Sequence, residues 1–285
     1  MPKKFKSNMN PRVSIIIPCY NQGRFLRETL ESVQNCPRDL YEVVIVNDGS
    51  TDQYTNDYID ELKQNGYIVI EQENKGLAAA RNAAIHASRG EFILPLDSDN
   101  RIKADYLTNG IAIMESDLSI AVVYGNAEYF GGRQGVWNPG KFNLQRLMLS
   151  NYIDACALVR RSVLERVGYY DTGMKYMGWE DWDIWLRIAF AGYKFYHLEK
   201  VVWDYRVADN SMSKQVYNSY EKPNHLEKYV NDKYPQYMGH DYIIEHFIKR
   251  LKASPIKFMQ KLIIRAYFPN FYNKLLSKNK IRRGI

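Results

Sequence analysis

The amino-acid sequence predicts an α/β fold in which a mostly parallel sheet is flanked by helices. Short apolar, β-branched runs begin at Val13, Val43, Ile68 and Phe92, as in strands that are buried on both faces. Segments with helical character separate these runs, so right-handed crossover connections are expected. Each run ends in polar or acidic turn residues. The carboxyl ends of parallel strands are where open α/β sheets bind their ligands.

The helices of the first half are predicted from the turns and segments between these strands. Gly49–Asp52 provides small polar residues that suit a helix N-cap. Gly76 precedes an alanine-rich stretch, whose small side chains let a helix lie close to a sheet. Helices are therefore expected near residues 24–35, 52–65, 76–88 and 103–116.

The pattern changes after residue 117, where strands and helices no longer alternate regularly. The elements predicted there are a strand over Ile120–Tyr124, a hairpin or loop over 126–137, a strand over 157–160, a helix over Asp181–Ala191 and a strand over Tyr193–Trp203. Residues 204–244 are polar and rich in tyrosine, without a clear period.

The bulk composition is that of an ordinary globular protein, with 285 residues, 46% hydrophobic and 25% charged. No apolar stretch approaches the roughly 20 residues that span a bilayer. The charged N-terminus lacks the apolar segment that a secretory signal requires. The three cysteines show no metal-ligand spacing. We therefore expect a reduced, cytoplasmic setting.

The positive charge is concentrated in residues 245–285, which hold 11 Lys and Arg residues against one Glu. The rest of the chain is slightly acidic, so the net charge of +7 belongs to this tail. Apolar and basic residues are interleaved from His246 to Arg265, and Pro255 is predicted to divide the segment into two helices. This pattern favours a peripheral helix on an anionic membrane surface over nucleic-acid binding. The alternative is that the apolar residues pack back onto the domain.

Asp97 and Asp99 are candidate metal ligands because they follow a predicted strand and precede a helix. Two carboxylates one residue apart at a strand end can hold a divalent cation and a ribose together. Mg²⁺ favours one or two carboxylates with substrate phosphates over a full protein cage. The alternative is a pair of solvent-facing turn acids that cap the next helix.

Asp48, Tyr20 and Arg81 are candidates for nucleoside binding. Asp48 ends the second strand, where it can accept from the imide N–H of a uracil-type base, and Tyr20 can stack on the same base. Arg81, in the first turns of a helix, can reach base, ribose or phosphate. The respective alternatives are a structural turn, a buried tyrosine at a loop edge and a surface arginine paired with a local acid.

The segment Gly178–Trp185 is the densest cluster, with Glu180 and Asp181 among three tryptophans at a predicted helix start. A helix N-terminus favours an ionised carboxylate. Asp181 is therefore a candidate base for a sugar hydroxyl, with Trp179 stacking on the ring. The alternative is helix capping beside core tryptophans.

Taken together, these segments resemble the family 2 inverting glycosyltransferases with a GT-A fold. The resemblance covers about residues 12–215 and rests on five motifs in the family's order: Pro18-x-Tyr20-Asn21, Asn47-Asp48-Gly49-Ser50, Asn74-x-Gly76 to Arg81-Asn82, Asp97-x-Asp99 and Trp179-Glu180-Asp181. It implies a Rossmann-like sheet, a nucleotide-sugar donor, most often a UDP-sugar, and Mn²⁺ or Mg²⁺.

The resemblance also implies a role for each matching residue. Contacts to the nucleoside fall to Pro18, Tyr20, Asp48 and Arg81. The metal site consists of Asp99 with Asp97, which also lies by the ribose. The reaction centre consists of Asp181 as the base, with Trp179 and Glu180 near the acceptor or donor sugar.

One position departs from the family's pattern. Many members place a histidine two positions after an arginine like Arg206, and here that position is Ala208. His197 comes too early to replace it obviously, so a third protein ligand to the metal is left open. Arg206 or Ser211 can meet a pyrophosphate, or the segment is a structural strand exit.

The predicted function is the inverting transfer of a sugar from a nucleotide-sugar to a saccharide or lipid-linked acceptor in surface polysaccharide synthesis, at the inner face of a membrane. The predicted domains are residues 1–215, with a nucleotide-binding half at 12–116 and an acceptor half at 117–215, and an extension at 216–285. The alternatives are an inactive glycosyltransferase-like binding module and a sugar-nucleotide pyrophosphorylase. The latter needs a glycine-rich phosphate loop, where this chain has Pro18–Gly23.

Overall fold

The computed structural model describes residues 10–208, 221–235, 237, 248 and 251–267. Its first half alternates strands and helices as the sequence predicts. The elements are β1 (Val13–Cys19), α1 (Gly23–Gln34), β2 (Tyr41–Asp48), α2 (Gln53–Gln64), β3 (Ile68–Gln72), α3 (Leu77–Ala87) and β4 (Phe92–Pro95).

The first four strands form a parallel sheet in the order β3-β2-β1-β4. Every residue of β1, β2 and β4 is buried, which explains their continuous apolar runs. The chain first winds from β1 outward to β3 and then returns to place β4 on the other side of β1. This reversal creates a crevice at the carboxyl ends of β1 and β4, the position where such sheets bind ligands.

The second half extends the same sheet with mixed strand directions. Its elements are β5 (Arg101–Ile102), α4 (Tyr106–Ser116), β6 (Ile120–Gly131), β7 (Gly135–Trp137), α5 (Leu144–Leu149), β8 (Leu158–Arg160), α6 (Arg161–Val167), α7 (Glu180–Phe190) and β9 (Lys194–Val207). The short strand β8 lies between β4 and β6 and is antiparallel to both. Strand β9 runs parallel to β6, and β7 closes the predicted hairpin on β6.

The predicted helices and strands of the first half agree with the structure to within three residues at each helix end. In the second half, the predicted strand at Ile120–Tyr124 continues to Gly131, because the same chain segment pairs with both β7 and β9. Strand β5 and helices α5 and α6 were not predicted. They span two, six and seven residues respectively, too few to show a period.

Backbone contacts divide the chain into two compact units, residues 1–173 with 179–207 and residues 174–178 with 208–285. The described helices of the second unit are α8 (Glu221–Lys233) and α9 (Pro255–Tyr267). Helix α9 begins at Pro255, where a missing N–H costs nothing, and residues 251–253 before it are also helical. The predicted domain boundary at 215/216 lies outside the described residues.

None of the helices in the described parts of the chain combines the length and the apolar character needed to cross a bilayer.

Candidate active site

Hydrogen bonds of Asn21 connect the loop after β1 to the loop after β2. This residue has a positive φ of 55°, a conformation that asparagine tolerates better than most side chains. Its side-chain oxygen accepts from the backbone N–H groups of Thr51 and Asp52 at 2.8 and 2.9 Å. Neighbouring Tyr20 is 46% exposed, so the buried-tyrosine alternative is wrong and its ring is open to a ligand. Pro18 lies inside β1 and is buried, and its contact with a nucleoside stays a prediction.

Asp48, at the end of β2, organises the loop that leads into α3. One carboxylate oxygen accepts from the Gln72 side chain at 2.6 Å and from the Lys75 backbone N–H at 2.9 Å. The other accepts from the Gly76 backbone N–H at 2.9 Å. Asp48 is 4% exposed, and its three internal hydrogen bonds fix the carboxylate in place. The predicted contact with a base is not tested by this arrangement.

Arg81 connects the two acidic motifs that the sequence places far apart. Its Nη1 donates to Oε1 of Glu180 at 2.6 Å and its Nη2 donates to Oδ1 of Asp97 at 2.8 Å. The side chain is only 2% exposed, so the alternative of a surface arginine is wrong. A guanidinium is rarely buried unless its charge is paired. The pairing here brings the loop after β4 next to the start of α7.

The loop after β4 alternates between residues that anchor it and residues that face the crevice. Ser98 is buried and donates to the Gln22 side chain at 2.6 Å, and Asn100 is buried and accepts from the Arg206 backbone N–H at 3.0 Å. Asp97 and Asp99 are partly exposed between them. The two carboxylates therefore alternate with two buried, hydrogen-bonded residues and keep part of their surface exposed.

The environment of Asp99 favours a bound cation. Burial, and next the negative charge of Asp97, raise the pKa of Asp99 to about 7, while Arg206 opposes the shift. Arg206 also donates from Nε to the Asp99 backbone carbonyl at 3.0 Å and pairs with Glu28 at 2.6 Å. This arrangement matches the structural strand exit, and the predicted pyrophosphate contact of Arg206 stays a prediction. Ser211 lies outside the described residues.

Two carboxylates fit a hard divalent ion whose remaining ligands are phosphate oxygens and water. Among the described residues, the structure brings no three His, Cys, Asp or Glu side chains together in a way that could hold a metal. His197 does not replace the histidine absent at Ala208, because its Nε2 lies 2.9 Å from Oδ1 of Asn126 on the neighbouring strand. The donor set of Asp97 and Asp99 therefore suits an ion shared with a diphosphate.

Glu180 and Asp181 begin α7 and are both buried, at 2% and 9% exposure. Oδ2 of Asp181 accepts from Nδ2 of Asn151 at 2.8 Å. Its other oxygen accepts from the Trp182 backbone N–H, also at 2.8 Å. Burial, then the charge of Glu180 and of Asp154, raise the pKa of Asp181 well above its ordinary value. A carboxyl with a raised pKa is a stronger base once it is ionised.

The aromatic residues around this pair divide into two groups. Trp182 and Trp185 are buried, and their indole N–H groups donate to the carbonyls of Leu147 and Ile153 at 2.6 and 3.0 Å. These tryptophans are core residues, in agreement with the alternative interpretation. Trp179 is half-buried and lies perpendicular to Trp182, with ring centroids 5.1 Å apart. Of these three tryptophans, Trp179 is therefore the one whose ring is accessible for contact with a sugar.

Three residues that sequence reasoning missed belong to this site: Asn151, Asp154 and Tyr170. Asn151 orients Asp181, as described above. Burial, followed by the charge of Asp97, raises the pKa of Asp154 to about 7. The Tyr170 ring lies 5.3 Å from the Arg81 guanidinium, and its hydroxyl is buried with no hydrogen-bond partner among the described residues. The sequence signal for Asp154 is that it is an isolated acid among apolar residues, with Ile153 before it and Ala155–Val159 after it.

The pH dependence of the reaction is expected to report the raised pKa of Asp181 and the effect of the nearby Asp154 charge on this pKa. The base form of Asp181 is charged, so kcat/KM should rise with pH through its raised pKa. Asp154→Asn removes a negative charge that raises this pKa, so the acidic limb should move to lower pH. Profiles of kcat/KM for both proteins check this, with Asp60→Asn, an exposed carboxylate on α2, as the matched control. An unmoved limb in Asp154→Asn would contradict the assignment.

Comparison with known proteins identifies the family. Residues 14–168, more than half of the chain, match the glycosyl transferase family 2. The chain belongs to this family. The members of this family are glycosyltransferases, and the matched residues include Asp97 and Asp99 but end before Glu180 and Asp181.

Several relatives of this family 2 glycosyltransferase carry more specific names. The putative glycosyltransferase EpsH of Bacillus subtilis is 39% identical over 121 residues, which are 42% of this chain and 35% of that relative. The Escherichia coli UDP-Glc:alpha-D-GlcNAc-diphosphoundecaprenol beta-1,3-glucosyltransferase WfaP is 32% identical over 207 residues, or 70% of this chain and 79% of WfaP.

A solved structure with the same fold is the mannosyltransferase PcManGT from Pyrobaculum calidifontis, in complex with GDP-Man and Mn²⁺. It has a TM-score of 0.60 at 19% identity, over 99% of this chain and 90% of that one. At this identity the similarity shows the fold alone. The predicted GT-A fold is confirmed.

Proposed function

We propose that this glycosyltransferase moves a sugar from a UDP-sugar to a hydroxyl of a saccharide or lipid-linked acceptor, with inversion and with a divalent ion. The observation that carries the proposal is the bridge from Arg81 to Asp97 and Glu180 at 2.8 and 2.6 Å. This bridge supports the proposal because it joins Asp97, a proposed metal ligand, to Glu180, the neighbour of the proposed base Asp181. WfaP, named for a UDP-Glc donor and a lipid-linked acceptor, supports the same substrate classes.

Donor binding is assigned to the loops after β1, β2 and β4. The exposed Tyr20 ring stacks on the base, and Asp48 accepts from the imide N–H of the base through the one lone pair, on Oδ2, that its three internal hydrogen bonds leave. Asp97 contacts the ribose, and Pro18 contributes an edge of the pocket. Arg81 positions Asp97 through Nη2, and its Nε, which has no hydrogen-bond partner among the described residues, is a donor still available to the nucleoside.

The metal site is assigned to Asp99 and Asp97. When bound there, Mn²⁺ or Mg²⁺ supplies positive charge that stabilises the departing nucleoside diphosphate. The Mn²⁺ complex of PcManGT supports this part of the proposal. The protein's own contribution is the loop itself, which the hydrogen bonds of Ser98 and Asn100 hold in place around the two carboxylates.

Transfer proceeds as a single displacement. Asp181 takes the proton of the acceptor hydroxyl while that oxygen forms a bond to the anomeric carbon. The bond from this carbon to the diphosphate oxygen breaks, and the nucleoside diphosphate leaves with the electron pair. One in-line attack inverts the anomeric configuration. Asn151 orients the Asp181 carboxylate, and Trp179 and Glu180 lie beside the reacting sugars.

The lipid-linked acceptor and surface polysaccharide synthesis place the reaction at the inner face of a membrane. An inactive binding module is disfavoured because Asp99 and Asp181 are both present. A pyrophosphorylase is disfavoured because the loop after β1 is not glycine-rich and is tied down by Asn21.

A donor panel tests the proposed function. UDP-glucose, UDP-N-acetylglucosamine, UDP-galactose and GDP-mannose are each supplied with a lipid-linked saccharide, with and without Mn²⁺. We expect release of UDP from one UDP-sugar, and a product whose anomeric configuration, read by NMR, is opposite to that of the donor. Retained configuration would exclude the single displacement. Formation of UTP from UDP-sugar and pyrophosphate would favour the pyrophosphorylase, and donor binding without turnover would favour the binding module.

A further inference from the structure

Helix α9 carries a stripe of large apolar side chains that the fold leaves uncovered. Ile256, Met259, Ile263 and Tyr267 are 75%, 47%, 50% and 77% exposed. Their spacing of three, four and four residues places them along one face of the helix. Single exposed apolar residues are common on protein surfaces, but a continuous row of four marks a contact surface. We call these four residues the α9 stripe.

The other large apolar side chains described on α9 lie outside the stripe. Phe258, Leu262 and Ile264 are half-buried, whereas the four stripe residues are exposed. The alternative that the tail's apolar residues pack back onto the protein therefore does not describe the α9 stripe.

The charge around the α9 stripe selects its occupant. Lys257 on α9 and Lys252 just before it are exposed, and residues 245–285 hold 11 basic residues against one acid. A second copy of this chain would bring the same positive charge and would be repelled. An anionic bilayer surface accepts both apolar side chains and lysines. The 13 residues of α9 extend about 20 Å, so the helix can lie in the interface but cannot span it.

We propose that the α9 stripe inserts into the interfacial region of a bilayer that contains anionic lipids, with Lys252 and Lys257 over the headgroups. None of the four stripe residues belongs to the candidate site, which contains Asp97 and Asp181. The proposal therefore stands whether or not the proposed donor and acceptor are correct, and vesicles without any acceptor can test it.

The experiment is co-sedimentation of the full chain with phosphatidylcholine vesicles that contain or lack phosphatidylglycerol. The wild type should bind the anionic vesicles and lose binding as salt is raised. Ile256→Gln with Ile263→Gln should lower the partition coefficient by roughly tenfold or more, because two isoleucines no longer leave water. Lys252→Gln with Lys257→Gln should weaken binding to anionic vesicles by about fivefold per lysine. Leu118→Gln, at a residue that is 77% exposed before β6, is the matched control and should bind like the wild type.

Two results would overturn the proposal. One is equal binding of the wild type and the stripe variant to anionic vesicles. The other is a wild type that does not bind vesicles but forms a dimer that the stripe variant does not form, as measured by sedimentation velocity. An unchanged near-ultraviolet circular dichroism spectrum and an unchanged melting temperature establish that each variant is folded.

Discussion

Asp181→Asn is expected to abolish sugar transfer while leaving binding of the nucleoside diphosphate intact. Asparagine has almost the same shape but cannot take the acceptor proton. A general base contributes about 10²- to 10⁴-fold, so kcat should fall by at least about 10²-fold. Calorimetry with UDP should give the wild-type affinity, because the donor loops after β1, β2 and β4 are unchanged.

The stability of Asp181→Asn is expected to be close to that of the wild type. Asp181 accepts hydrogen bonds from Asn151 and from the Trp182 backbone, and asparagine has one oxygen for these two donors. That loss is offset because the substitution removes a carboxyl group whose charged form is disfavoured by burial and then by the charges of Glu180 and Asp154, the causes of its raised pKa. A thermal melt checks this expectation. A large fall in melting temperature would show that the activity loss reflects unfolding.

Two neighbours in α7 serve as controls for Asp181→Asn. Glu180→Gln weakens the bridge from Arg81 and should lower kcat less, since it leaves the proposed base in place. Asp183→Asn removes a fully buried partner of Arg187, at 2.8 Å, and should lower stability rather than act selectively on chemistry. An active Asp181→Asn beside an inactive Glu180→Gln would reverse the assignment within the pair.

The parallel half was predictable because its signals are local. The continuous apolar run of β1 and the N-cap at Asp52, whose side chain accepts from the Thr55 backbone N–H at 2.9 Å, are both visible in a few residues. The second half depends on pairings between distant segments. The residues around Leu158 carry no local sequence pattern from which the position of β8 between β4 and β6 could be predicted. Helix α8 was also missed, although Leu226, Val230 and Tyr234 recur every four residues and are buried.

The candidate site was predictable by residue type but not by arrangement. The positions of Asp97, Asp99 and Asp181 follow from strand and helix ends, where acids can face a crevice. Arg81 was expected to reach a ligand, whereas the fold buries its guanidinium between two carboxylates. Asp154 has no motif of its own and reaches the site only because β8 is antiparallel. The role of a residue can be predicted when it depends on one local turn, but not when it depends on partners that folding brings from distant segments.

Removal of the divalent ion is the second change expected to have a large effect. The donor set of Asp97 and Asp99 holds two negative charges at one loop, and their repulsion contributes to the raised pKa of Asp99. A divalent ion relieves this repulsion and offsets the charge that develops on the diphosphate. EDTA should therefore abolish transfer, and added Mn²⁺ should restore it.

Asp99→Asn isolates this effect better than a change at Asp97, because Asp97 also holds Arg81. We expect kcat to fall by at least about 10²-fold. Electron paramagnetic resonance with Mn²⁺ and UDP should show weaker binding of the ion than in the wild type. Asp60→Asn on α2 should match the wild type in both measurements.

Full activity in EDTA, together with the same Mn²⁺ signal in Asp99→Asn and wild type, would show that the two carboxylates only stabilise the loop and bind no ion. Since the described residues bring no group of three His, Cys, Asp or Glu side chains together for a metal, the ion should depend on Asp99 and the diphosphate together. Mn²⁺ should therefore bind far more weakly when UDP is left out.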